Sequence, residues 1–301
     1  MVLIGAVTAC VAAVVDVGVA TVGDWKGGYC VGNVFLDRER CCGGTVPRTF
    51  SPRGFPDPRA YSDPHIYSEK CEAWHPWSLN YYKSYGIYVA LALLFGITSS
   101  LVTLTTRTTL PTANTKTTSH DNANPAGKTL YMSSGSGIPE IKTILSGFSI
   151  PSFLSLPVLC AKALGAIFAV SSGLCLGKEG PFVHISTCTG YLIGSLFPQY
   201  ASNGRAMREL LSAACSSGLS VAFGAPIGGV LFSYEEVSTF FPRGVMGRAF
   251  LCSLMAAAVL RGLNPSGTGK LVLLETNYTA GYDTSDSVSY THLTLPTILR
   301  V

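Results

Sequence analysis

A Lys-Glu pair set between two apolar runs constrains this chain more than any other feature. Residues 149–177 carry one formal charge, Lys162, and residues 180–204 carry none. Between them stands Leu176-Gly177-Lys178-Glu179-Gly180-Pro181-Phe182-Val183-His184. Gly177 and Gly180 admit backbone conformations that other residues resist, and Pro181 suits the first turn of a helix. The pattern predicts a helix that begins inside an apolar medium rather than at its surface. The unpaired N–H groups at such a start carry about half a positive charge and favour an anion. Glu179, just before the expected start at Pro181, is a built-in anion for the same place.

Charged residues make up 13% of the 301 residues, against about a quarter in soluble domains, and mean hydropathy is +0.36. With several long charge-free runs, this deficit predicts a membrane protein whose first partner is the lipid bilayer, not a soluble protein with a large core. The net charge of +4 is scattered, and no basic patch is interleaved with aromatics, so nucleic acid is excluded as a partner.

Residues 1–22 are apolar except for Asp16, and no Lys or Arg precedes Lys26. A secretory signal would need a basic leading region, so this is read as a first transmembrane helix. Asp16 would cost about 2.5–3.5 kcal/mol facing lipid at the bilayer centre, which places it near a helix end or against protein. Residues 23–83 read as an extracytosolic loop, 84–106 as a transmembrane helix and 107–134 as a polar, disordered cytosolic loop. Residues 135–263 form a core of broken helices, and 264–301 a loop with an atypical tail, read as truncated. Cys30, Cys41, Cys42 and Cys71 suit disulfides in an oxidising lumen, with three pairings open. Adjacent Cys41 and Cys42 fit zinc-ligand spacing poorly, and no metal site is expected.

Three helix starts share one design: Gly135-Ser136-Gly137-Ile138-Pro139, Gly177 to Pro181, and Gly224-Ala225-Pro226. Arg205, Arg208 and Glu209 read as a surface turn. Gly218, Gly224, Pro226, Gly228 and Gly229 are expected to break residues 210–234 into two short pieces, the second closed by Glu235 and Glu236. Helices that start at membrane depth are tolerated only where they line a cavity or are buried in protein, and they point to a transporter binding site. Ordinary kinked helices are the competing reading.

These starts, with Gly224-Ala225-Pro226-Ile227-Gly228-Gly229-Val230-Leu231-Phe232, resemble the signature segments of the CLC chloride channel and transporter family. Glu140-Ile141-Lys142-Thr143-Ile144-Leu145-Ser146-Gly147-Phe148 and Glu235-Glu236-Val237-Ser238 resemble its vesicular chloride–proton exchanger branch, and the similarity runs to about residue 275. The resemblance implies an all-α membrane protein, the N-terminal inverted-repeat half of a CLC-type transporter with short broken helices. It implies chloride/proton antiport with no cofactor beyond the transported ions, no enzyme activity, and an endosomal or other vesicular membrane, with the plasma membrane as the alternative. Its expected protein partner is a second copy, as a homodimer, or a full-length CLC subunit. A voltage-gated chloride channel and a non-transporting partner of full-length subunits are the competing functions.

Residue by residue, the resemblance makes Ser136 a chloride contact, with Gly137, Ile138, Gly180 and Pro181 in the chloride-binding segments. It makes Glu179 the gating glutamate and Glu236 the proton glutamate. Each has a plainer reading: Ser136 and Glu179 as helix caps, Glu235 and Glu236 as surface charges. Lys178 either adds positive potential or is solvated, and His184 is read as packed, with no role. An intramembrane acid hydrolase using Glu179 and Glu236 lacks any accompanying nucleophile or metal cluster. The family's second inverted half, its Gly-x-Phe-x-Pro start, its distal chloride-contacting tyrosine and its cytosolic CBS pair have no match, so this stretch alone is expected not to transport.

Overall fold

Helix lengths follow from the apolar runs. A hydrocarbon layer about 30 Å thick needs about 20 helical residues. In a computed structural model, which describes residues 1–42, 73–109 and 129–265, three helices are long and apolar enough: α1 (Val2–Asp24), α3 (Tyr81–Leu104) and α10 (Arg243–Leu263). Between α1 and α3 lie β1 (Gly28–Cys30), α2 (Arg38–Cys42) and β2 (Trp74–Pro76). Then come β3 (Arg107–Thr109), β4 (Thr129–Tyr131), α4 (Ile138–Leu145), α5 (Leu156–Ser171), α6 (Glu179–Ser195), α7 (Pro198–Ala201), α8 (Gly204–Phe223), α9 (Pro226–Phe232) and a π-turn (Ser233–Val237). The described residues all belong to one compact unit. Cys71 and the tail beyond residue 265 lie outside them.

The centre of the fold is α8, packed between α6 and α10, with α1 against α10 and α5, and α3 against α5. Small residues make this possible, because within a membrane helices associate by close packing and hydrogen bonds. Ser216, Ser217 and Ser220 of α8 are buried, and Ser216 and Ser220 donate to carbonyls of Ala249 and Ser253 on α10 at 3.2 and 2.8 Å. Thr8 of α1 and Thr189 of α6 share a hydrogen bond of 3.0 Å. Helix α3 buries only Phe95 and exposes Leu93, Leu94, Ile97 and Leu101, an exterior suited to lipid or further protein.

Several expectations need correction. Gly218 does not break α8; it sits where a Cβ would come within 2.6 Å of the Phe182 carbonyl, so its role is close helix contact. The run does divide in two, but the break is at Gly224, in the left-handed region at φ 64°, with Pro226 opening α9 and Gly228 and Gly229 inside it. Arg205, Arg208 and Glu209 are not a turn but the start of α8, capped by Asn203, whose side-chain oxygen accepts from Arg205 N and Ala206 N. Helix α6 begins at Glu179, not Pro181; a proline is tolerated there because the first N–H groups of a helix have no partner anyway.

The segments read as loops also carry structure. Strands β1 and β2 pair antiparallel, Tyr29 opposite His75, and Cys30 is bonded to Cys41. Trp77 Nε1 donates to Trp25 O at 2.6 Å, so this cap joins the end of α1 to the start of α3. The edges of the polar segment read as disordered, β3 and β4, pair antiparallel, anchored by Thr106, which shares a 2.9 Å hydrogen bond with Ser133. Residues 110–128 lie outside the described residues.

Candidate functional site

The segment before α4 is held by an ion. Lys162 of α5 is 4% exposed, and its ammonium donates to the carbonyls of Ser133, Ser134 and Gly135 at 3.0, 3.4 and 2.6 Å. A buried ammonium is costly unless its protons find acceptors, and three carbonyls supply them. Gly135 and Gly137 then take φ of 66° and 85°, a turn that side-chain-bearing residues adopt with difficulty. Ser136, between them, is exposed. Its hydroxyl makes one long contact, 3.4 Å, with the N–H of Ile138, while Gly137 is the N-cap residue. The first helical bond is Ile141 N–H to Gly137 O, so the N–H groups of Ile138 and Glu140 are left without helical partners, and Pro139 has none to offer.

The start of α6 is built differently. Lys178 is its N-cap residue, but the ammonium turns away, donating to Asp16 Oδ1 at 2.6 Å and lying 5.5 Å from the Phe182 ring centroid. Lys178 is therefore paired with Asp16 of α1 rather than with its neighbour Glu179. Asp16 lies within α1 and faces protein. Glu179, half-buried, makes no hydrogen bond or ion pair among the described residues, and its carboxylate occupies the space a Cβ on Gly177 would take. Gly177 is glycine because the glutamate folds over it.

These two helix starts meet. A Cβ on Gly180 would stand 2.7 Å from Ser136 Cβ, and one on Gly137 would stand 2.9 Å from His184. The fold thus brings Ser136, Gly137 and Gly180 together, with Glu179 and Pro181 flanking Gly180 on α6. Ile138 packs against the cluster of Ile141, Leu145, Val183 and Leu211 beneath.

Glu236 is elsewhere, in the π-turn closed by Ser238 N–H to Ser233 O at 3.0 Å. Val237 is fully buried and anchors the turn, while Glu235 and Glu236 are exposed. Glu236 lies 3.6 Å from Lys142 of α4, both about half exposed, so the pair is weak. Ser233 donates to Ser212 O at 2.8 Å and fixes the turn to α8. No hydrogen bond or ion pair joins Glu236 to Glu179 among the described residues, and no metal-ligand cluster is found there.

Lys162, the one charge of its run, holds the segment before α4, a role no local pattern shows, while Asp16 faces protein as its cost in lipid requires.

Residues 126–297 match the model of the voltage gated chloride channel family. The chain belongs to this family. The match runs past residue 275, where the motif resemblance ends, into the segment read as an atypical tail. Among relatives, human H(+)/Cl(-) exchange transporter 3 is 38% identical over 287 residues, which is 92% of this chain and 30% of the relative. Human H(+)/Cl(-) exchange transporter 5 is 39% identical over 284 residues, with 91% of this chain and 30% of the relative covered. A crystal structure of a eukaryotic CLC transporter superposes with a TM-score of 0.51 at 29% identity, covering 67% of this chain and 32% of that one. The CLC chain spans under a third of the length of these relatives. It is an all-α integral membrane protein of the CLC fold.

Proposed function

We propose that this protein forms part of a chloride–proton exchanger. The observation that carries the reading is the contact of Ser136 with Gly180, beside a Glu179 carboxylate that has no hydrogen-bond or ion-pair partner among the described residues. Halide binding needs donors but little directional geometry, and a hydroxyl with the N–H groups of α4 that lack helical partners supplies them. Ionised, Glu179 competes with an anion for a place at these helix starts; protonated, it loses its charge and gives way. One side chain thereby couples proton movement to anion movement. Ile138, Gly180 and Pro181 shape the backbone there. Glu236, exposed and only weakly paired, takes the proton role at the other end.

The setting we infer is an endosomal or other vesicular membrane, with a homodimer or a full-length CLC subunit as partner. Because the chain spans under a third of its relatives, we infer that these 301 residues alone do not transport. The deciding measurement is proton flux driven by a chloride gradient in vesicles holding the protein with its partner. Coupled proton uptake supports exchange; chloride current without proton movement overturns it in favour of a channel. Co-purification with an intact subunit but no effect on its flux would favour a non-transporting partner.

A further inference from the structure

One face of α6 seats the dipeptide Ser136-Gly137. Gly180 lies against Ser136, and four residues on, one turn along the same face, His184 lies against Gly137. His184 is fully buried. Its Nε2 is 3.2 Å from the Phe153 carbonyl, and because a carbonyl only accepts, Nε2 carries the proton. The ring stacks on Phe153 with centroids 4.2 Å apart and planes 12° apart. Cys188, a further turn along α6, points its thiol at the same carbonyl, 3.9 Å away.

This arrangement leaves Nδ1 a bare acceptor. It has no hydrogen-bond partner among the described residues, and a Cβ on Gly137 would stand 2.9 Å from it. A buried acceptor without a donor costs folding free energy and calls for a reason. Gly137 supplies one. A free glycine visits left-handed and right-handed regions almost equally, so its φ of 85° has to be chosen by its surroundings. The edge of the imidazole at Cβ, Cγ and Nδ1 leaves room only for the hydrogens of the Gly137 Cα. On the other side, Lys162 holds the carbonyls of residues 133–135. The chain is clamped on both sides of Ser136.

We propose that His184 is a positioning residue for the anion contact: locked by Phe153, its ring fixes Gly137 and so aims the Ser136 hydroxyl and the first N–H groups of α4. The ligand, chloride, is taken from the proposed function; the clamp itself is not. Hydrogen–deuterium exchange on the full 301-residue chain in detergent, with chloride or gluconate as the anion, tests both. His184→Gln puts an amide nitrogen where Nε2 lies and keeps the bond to Phe153; His184→Leu fills the space without a donor. Exchange across residues 137–141 is expected within about twofold of wild type for the Gln variant and about tenfold faster for the Leu variant, because the Phe153 carbonyl then keeps only the weak Cys188 thiol contact and the ring no longer seats Gly137. Exchange in α1 and α10 should stay unchanged, and chloride should slow residues 137–141 in wild type and His184→Gln more than in His184→Leu. Equal exchange in Leu and wild type would mean that the ring only fills space, and equal acceleration of both variants in every helix would make His184 an ordinary core residue. Either result overturns the proposal. Selective acceleration in Leu with no chloride effect in any form would sustain the clamp and sink the chloride reading.

Discussion

Lys178 reaches away from Glu179 and donates to Asp16 Oδ1 at 2.6 Å, joining the start of α6 to the interior of α1. Both side chains are about one-fifth exposed. Removing one partner of a fully buried pair costs about 3–5 kcal/mol, because the other charge is left alone; partial exposure reduces this. Asp16→Ala is therefore expected to lower stability by about 1–3 kcal/mol. The double variant Asp16→Ala with Lys178→Met should recover most of the loss, since no orphan charge remains. Thermal unfolding of the four proteins of this cycle checks it; additive losses would mean that the two charges do not depend on each other.

Lys162 is a different case, with three carbonyls as its partners among the described residues. Lys162→Met keeps much of the volume and leaves those carbonyls without a donor, at about 1–3 kcal/mol for a buried group so stranded. The expected result is a lower unfolding temperature together with weaker chloride binding, because Ser136 follows directly on the released segment. Isothermal titration with chloride beside a melting curve separates the two effects. Unchanged binding at reduced stability would remove Lys162 from the site.

Much of this was legible in the residues. Long apolar runs coincide with α1 and α3, and the Gly-Ser-Gly-Ile-Pro and Gly-Lys-Glu-Gly-Pro segments with the two helix starts that meet. What the sequence did not disclose was pairing at a distance. Nothing near Lys178 in the chain points to Asp16, which lies 162 residues away. Gly218 looks like a break to any local rule, and only the Phe182 carbonyl beside it explains why it is a contact instead. Gly177 and Gly180 read locally as sites of backbone freedom, yet at both the deciding factor is the space a Cβ would fill.

That distinction separates two alanine variants. At Gly180 a Cβ meets Ser136 Cβ at 2.7 Å and its Cα at 3.2 Å, atoms that cannot swing aside without moving the turn. Gly180→Ala is expected to cost about 1–3 kcal/mol, as overpacking does, and to weaken chloride binding about tenfold or more. At Gly177 the obstacle is the end of the Glu179 side chain, which can rotate. Gly177→Ala should fold with a loss of about 1 kcal/mol or less but displace the carboxylate, altering proton coupling before anion affinity. Loss of chloride binding in both variants to the same degree would contradict this division.

Surface ion pairs supply the contrast. Lys142 and Glu236 are 3.6 Å apart with both side chains about half exposed, a setting in which such pairs contribute about 0–1 kcal/mol. Lys142→Ala should leave the melting temperature nearly unchanged and its effect should fade with added salt. If the variant unfolds markedly earlier, the pair is part of the structural frame rather than a solvated contact, and the proton role of Glu236 loses its rationale.

The cap over the α1–α3 end offers a last test, because it depends on redox chemistry. The disulfide Cys30–Cys41 closes a short loop, with the two cysteines 11 residues apart. It ties β1 to α2, while Trp25 Nε1 donates to Val34 O at 2.7 Å within the same loop. By loop-closure entropy a cross-link of this size contributes about 2–3 kcal/mol. The Cys30→Ser, Cys41→Ser double variant is expected to melt earlier by that amount, and reducing agent, which also opens the disulfide at Cys42, should lower the wild type at least as far. The cap touches the helix bundle through Trp77 on Trp25 and through Lys26, which donates to Tyr88 of α3 at 3.4 Å. Loosening should therefore spread to the start of α3 but not to the turn at Ser136, which is held from α5 and α6 instead. Hydrogen exchange confined to residues 73–90 in the reduced protein is the expected pattern, and faster exchange at residues 133–138 would show that the cap and the site are one mechanical unit.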